Sequence, residues 1–119
     1  MLAEFALVLP ALLIILFGVM ELGLALSRAQ AVDAAAREGG RLASLSSTST
    51  SDIVGRIDAT LAGLATGTPP EVAVIPTTCT GRQGESVTVT VRVPDRITIP
   101  LVVDREVVLT GRAVFRCEA

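Results

Sequence analysis

The sequence predicts an α+β fold: a long N-terminal hydrophobic α-helix, or stalk, and a small C-terminal head of one short helix and a three- to four-stranded antiparallel β-sheet. Three observations lead there. Phe5 to Met20 (FALVLPALLIILFGVM) is an unbroken run without charge, bracketed by Glu4 and Glu21. A second stretch with apolar residues at helical spacing follows the Ser/Thr run that ends at Asp52. Beyond Pro70 the apolar period changes from helical to two, as in a half-buried strand.

The first element is a single helix from Leu2 to about Ser46, because the residues after the apolar run (SRAQAVDAAAREGGRLASL) are good helix formers. At about 1.5 Å rise per residue, Glu4 and Glu21 stand roughly 26 Å apart, close to the thickness of a bilayer's hydrocarbon core. The two acids mark membrane edges, and everything after Arg28 hangs from the anchor. Pro10 removes a backbone donor and crowds the preceding turn, so a kink or a locally melted stretch is expected around Leu7 to Pro10.

Projected at about 100° per residue, Ala11, Gly18, Ala25, Ala29, Ala36, Gly40 and Ala43 fall on one narrow face. Small residues at such spacings let a second helix approach closely where lipid removes any hydrophobic drive to associate. An Ala-rich composition also scatters small residues without purpose, and both explanations stand at this stage. Asp33 with Arg37 and Glu38 with Arg41 are placed for ion pairs along the helix.

The hydroxyl-rich run Ser44 to Asp52 reads as a hinge, because its side chains compete for backbone hydrogen bonds. Ser51 or Asp52 is expected to cap a second helix whose apolar face holds Ile53, Val54, Ile57, Leu61 and Leu64, ending by the TGTPP segment. The domain division is therefore a membrane or filament-core helix, residues 1–46, and an α+β head, residues 47–119.

Val72 and Val74 begin a short strand. Val87, Val89, Val91 and Val93 alternate with Thr88, Thr90 and Arg92, the pattern of a strand with one wet face. A turn is expected at Pro94-Asp95, then an edge strand from Ile97 to Val103 interrupted by Pro100. In the last strand, Glu106 to Cys117, Leu109, Ala113, Phe115 and Cys117 share parity and face inward. That points Cys117 toward Cys79, just past the first strand. Two cysteines in a chain with no histidine favour a disulfide over a zinc site, which needs four ligands. Closing that loop stabilises a small head by about 3 to 4 kcal/mol and implies an oxidising compartment.

The chemistry that is missing narrows the function. A net charge of −2 without a basic cluster argues against nucleic acid as a partner. Without His there is no Ser–His or Cys–His pair, and no HExxH motif or phosphate-cradling loop is present. Asp95, Asp104 and Glu106 each adjoin an arginine on an expected loop and read as surface ion pairs rather than a calcium site or a catalytic dyad. No enzyme, cofactor or metal site is expected.

Glu4 is costly at the lip of an apolar run unless it snorkels to the headgroups or meets a cation. In a bundle of parallel, staggered copies, the α-amine of one chain could meet Glu4 of the next and set their register. Glu21 either snorkels or makes a polar contact inside such a bundle.

The segments AEFALVLPALLIILFGVMELG and AAREGGRLA resemble the TadE-like group of tight-adherence pilus proteins, relatives of the type IV pilins. The resemblance covers about residues 3–43 and fades into the β-rich C-terminus. It implies an inner-membrane precursor cleaved by a prepilin peptidase and passed by the pilus assembly machinery into a homo-oligomeric helical filament at the cell surface. It also maps the family glutamate onto Glu4, as a registration residue during assembly. The basic leader that usually precedes the cleavage site is not in this sequence, which fits a processed form. The family glutamate usually stands four residues after the first mature residue, against three for Glu4 and Met1, which puts the mature N-terminus one residue upstream.

The expected assembly residues are Glu4, Phe5, Pro10, Ala11, Gly18, Glu21, Ala25 and Ala29. Two alternatives to a major pilin remain: a minor pilin, and a monomeric membrane-tethered envelope protein whose β-head binds a partner. A third, a secretory signal over residues 1–31 ending at Ala29-Gln30-Ala31, lacks the basic N-terminal region such signals carry.

Overall fold

The structure, a computed structural model, describes residues 1–45, 47–63 and 69–118. Its elements are α1 (Leu2–Ala43), α2 (Thr50–Leu61), β1 (Glu71–Ile75), β2 (Ser86–Ile99) and β3 (Val103–Arg116). The fold is the expected α+β one, with a single antiparallel sheet in the order β1-β2-β3. A helix of 42 residues is about 63 Å long, and it sets the 74 Å length of the molecule.

α1 is helical without interruption through Pro10, so the melted stretch expected there does not form. The first four N–H groups of a helix have no intrahelical acceptor, but residue 10 lies past that turn. The helix absorbs the loss of one hydrogen bond in an otherwise strongly helix-forming run. α1 ends at Ala43, where the Ser44 N–H closes on the Gly40 carbonyl. Ser46, the expected end, lies outside the described residues.

The cap of α2 is Ser49, two residues earlier than the first expected candidate. Its hydroxyl accepts the Asp52 N–H, and the Asp52 carboxylate accepts the Ser49 N–H, so two orphan donors are satisfied reciprocally. Asp52 is thus the third helical residue of a capping box. Ile53, Ile57 and Leu61 form the buried face, Val54 is half-buried, and the expected Leu64 lies outside the described residues.

The sheet corrects two turns. β2 runs straight through Pro94-Asp95, and the turn falls at Pro100, Leu101 and Val102, between the paired residues Ile99 and Val103. The expected bent edge strand from Ile97 to Val103 is instead the end of one long hairpin. The reason is the length of β1, which stops with Glu71 opposite Arg92. Beyond Arg92, β2 is paired on one side only, and a proline without an N–H is tolerated at such an edge. Leu101, at φ 65°, occupies the left-handed region, which costs a side-chain-bearing residue about 1 kcal/mol.

The core lies where α1, α2 and the sheet meet. Val87, Val89, Val91 and Val93 of β2 are buried with Val32, Ala35, Ala36 and Ala43 of α1 and Ile53, Ile57 and Leu61 of α2. Leu109, Ala113, Phe115 and Cys117 face inward as their parity predicts, with Leu109 and Phe115 half-buried. Each fully buried Val or Ile contributes about 1.5–3 kcal/mol, so these few side chains carry the head.

Helix and sheet touch closely because both sides are small. A Cβ on Gly111 would stand 2.6 Å from the Val32 carbonyl oxygen, and one on Gly39 would stand 2.6 Å from Ile57 Cδ1. Cys79 and Cys117 are joined by the expected disulfide, with Cα atoms 5.5 Å apart, across a sequence separation of 38 residues. It ties the loop after β1 to the end of β3.

Candidate assembly surface of the stalk

α1 divides into two parts by what covers it. From Val32 to Ala43 its inward face is buried in the head. N-terminal to that, α1 holds an 18-residue stretch long and apolar enough to cross a membrane, and none of that stretch is buried. Glu4, Phe5, Pro10 and Ala11 are all exposed on it. Large apolar side chains surround it on every side, from Leu2 and Phe5 through Leu12, Ile15 and Phe17 to Leu24 and Leu26.

The small-residue face turns out to have a partner within the chain. Ala11 is exposed, Gly18, Ala25 and Ala29 are half-buried, and Ala36, Gly40 and Ala43 are buried. The covering element is the β2–β3 hairpin. Ile99 Cδ1 reaches to 4.0 Å from where a Cβ on Gly18 would stand, and Phe115 and Ala113 pack over Gly40. From Gly18 onward the stripe is thus the seat of the chain's own sheet, and only its N-terminal end is open.

The acids flanking the apolar run differ in setting. Glu4 is exposed in the first turn of α1, where the positive end of the helix dipole favours a carboxylate. Glu21 is half-buried, at the level the hairpin reaches. Neither shows a hydrogen bond or ion pair with another described residue.

Two ion pairs hold the head to α1, and both differ from expectation. Asp95, expected on a loop, lies on β2 with the parity of Val91 and Val93. There it accepts from Arg28 Nη1 at 3.1 Å, with only 7% of its side chain exposed. Glu38 pairs with Arg56 of α2 at 3.0 Å rather than with Arg41, because α2 crosses above that turn. Asp33 and Arg37 do pair, at 2.7 Å. Asp104 forms an exposed cross-strand pair with Arg96, whose Nε and Nη2 donate to its two oxygens at 2.7 and 2.8 Å. That guanidinium holds the Asp104 carboxyl below the usual carboxylate range, and Asp104 in turn raises Arg96.

Sequence reasoning missed Arg28 and Asp95 as a pair because nothing local links residues 67 apart. The parity of β2, carried through Pro94, would have pointed Asp95 at the helix. No group of three or more His, Cys, Asp or Glu is placed to hold a metal among the described residues. The outer face of the sheet carries a shallow open groove lined by Ile75, Thr88, Thr90, Arg92, Thr110 and Arg112. Its side chains are those of a wet sheet face.

Comparison with family models matches residues 1–41 to a model described as TadE-like protein. Comparison with curated proteins and with solved structures gives no match. The matched segment is the stalk plus the part of α1 that enters the head, so the fold of the β-rich remainder rests on the structure alone. Over its N-terminal third this chain is similar to TadE-like proteins.

Proposed function

We propose that this protein is a pilus subunit whose copies pack side by side through the open part of α1. The supporting observation is the 18-residue apolar stretch, unburied within the chain, on a helix whose other end is fully employed in a folded head. Such a surface is held either by lipid or by other helices, and the TadE-like match favours a path from the first to the second. The chain starts as an inner-membrane precursor, is processed by a prepilin peptidase, and enters an extracellular filament through the pilus assembly machinery.

In this reading Glu4, Phe5, Pro10 and Ala11 contact neighbouring stalks, and Glu4 sets the register between copies. Gly18, Ala25 and Ala29 act one step removed, since they let the hairpin lie against the helix and so fix where each head begins. Glu21 stands at the junction of stalk and hairpin. The head faces an oxidising compartment, consistent with its disulfide.

Negative-stain imaging of sheared surface fractions tests the proposal. Filaments containing the chain are expected, and Glu4→Arg is expected to abolish them while leaving membrane-bound protein at normal abundance. Normal filaments in Glu4→Arg would remove Glu4 from the mechanism. Filaments that never contain the chain would favour a tethered monomer whose head binds a partner.

A further inference from the structure

The tip of the β2–β3 hairpin is the least expected surface of the head. Ile97, Ile99, Pro100, Leu101, Val102 and Val103 occur there with Thr98 as the sole polar residue, whereas the outer face farther up the sheet carries Thr88, Thr90, Arg92, Thr110 and Arg112. Leu101 is 98% exposed and Val102 62% exposed. Leu101 also holds a left-handed backbone conformation that glycine or asparagine adopts more readily. Turn chemistry does not call for a leucine at that position.

The position of the tip along α1 supplies the reason. Two contacts fix how hairpin and helix run together: Arg28 with Asp95, and Gly18 with Ile99. Ten helical residues from Arg28 to Gly18 span about 15 Å, and four strand residues from Asp95 to Ile99 span about 13 Å, so the two elements descend side by side. A hydrocarbon core bounded by Glu4 and Glu21 ends three residues beyond Gly18. Gly18, and Ile99 beside it, then lie roughly 4–5 Å inside that boundary. Outward-facing apolar residues of α1 continue through Leu26, so the helix opposite the hairpin is equally apolar at this depth. Charge flanks this stretch on both elements, with Glu21 and Arg28 on α1 and Asp95, Arg96, Asp104 and Arg105 on the hairpin, where Asp104 stands opposite Thr98 and Arg105 opposite Ile97.

We propose that the hairpin tip, Ile97 to Val103, is a second membrane-contacting element that dips into the headgroup and acyl boundary of the bilayer beside the stalk. It rests on the reading of α1 as a membrane anchor. Before assembly, the head is then seated on the membrane at two points rather than swinging from one helix. Interfacial apolar elements elsewhere sit at a similar depth, about 5–10 Å into that boundary.

The chain contains no tryptophan, so single reporters are clean. Full-length protein with Leu101→Trp, and separately Val102→Trp, is reconstituted into phosphatidylcholine and phosphatidylglycerol vesicles. The phosphatidylcholine is either unmodified or brominated at shallow or deep acyl positions. Both tryptophans are expected to emit at shorter wavelength than Thr110→Trp on the outer sheet face, and to lose about half their emission to shallow bromines, as fits an element at interfacial depth. Leu12→Trp, quenched by deep bromines, reports the anchor separately. Unquenched tip tryptophans with a quenched Leu12→Trp overturn the tip proposal and leave the anchor intact, whereas an unquenched Leu12→Trp overturns both. Tip emission that is blue-shifted but insensitive to bromine also overturns the proposal, since protein rather than lipid then covers the tip.

Discussion

Arg28 of α1 donates from Nη1 to both carboxylate oxygens of Asp95 on β2, at 3.1 and 3.3 Å, and so pins the long hairpin to the helix. The two partners are unequally exposed, 31% for Arg28 and 7% for Asp95. Arg28→Ala leaves a nearly buried carboxylate uncompensated, whereas Asp95→Ala leaves a guanidinium that still reaches water. Chemical denaturation in detergent micelles is expected to show a loss of about 2–3 kcal/mol for the first and about 1 kcal/mol for the second. Equal losses would mean that Asp95 is better hydrated than the structure has it.

Two glycine-to-alanine substitutions are expected to act in opposite directions. In Gly111→Ala the new methyl would meet the backbone of Val32 and Asp33 at 2.6–3.0 Å, and backbone cannot step aside as a side chain does. The helix and sheet must separate, at a cost of about 1–3 kcal/mol. Gly55 lies within α2 with nothing within 4 Å of its Cβ position, so Gly55→Ala is expected to stabilise α2 by about 0.5–1 kcal/mol. Thermal melts of both variants beside the parent check the pair.

The disulfide is the staple of a small core. Reduction, or the double substitution of Cys79 and Cys117 by Ala, is expected to lower head stability by about 3–4 kcal/mol, given a sequence separation of 38 residues. The double variant should melt at the same temperature with and without reductant. If the parent does so as well, the bond does not form in the protein studied.

Acid is expected to weaken two exposed contacts. The Ser49 side chain and backbone N–H hold the Asp52 carboxyl below its ordinary range, and Arg96 does the same for Asp104. A carboxyl with a depressed folded value contributes stability that is complete above its unfolded value of about 3.9 and is lost as pH falls through the folded value. Amide-exchange protection in α2, taken relative to the intrinsic rate at each pH, should therefore fall below about pH 4 and level off once Asp52 is protonated. Asp52→Asn is expected to flatten the α2 response.

Much of the fold was legible because the signals are local. The valine alternation from Val87 to Val93 put one face of β2 in the core, and the parity of Leu109, Ala113, Phe115 and Cys117 did the same for β3. The turns were harder to place. Pro94 reads as a break only if the strand is paired on both sides, and the length of β1, which decides that, lies more than twenty residues away in sequence. The small-residue stripe was legible as a site of close approach but not as to its occupant. Gly18, Ala29 and Gly40 admit a strand as well as a helix, and periodicity on one element says nothing of what covers it. For the open end of α1, Glu4 to Ala11, the sequence and the structure agree on exposure and apolarity, and the partner must come from experiment.

The central claim is that the open stalks of neighbouring copies lie against one another. A photo-crosslinking amino acid at Ala11, exposed and clear of the chain's own hairpin, tests this directly in intact cells. The account expects light-dependent multimers in a ladder, each step one chain heavier, with peptides from residues 2–17 of the neighbour at the linked site. A single monomer band joined only to lipid, in cells where the protein is at the surface, would contradict it.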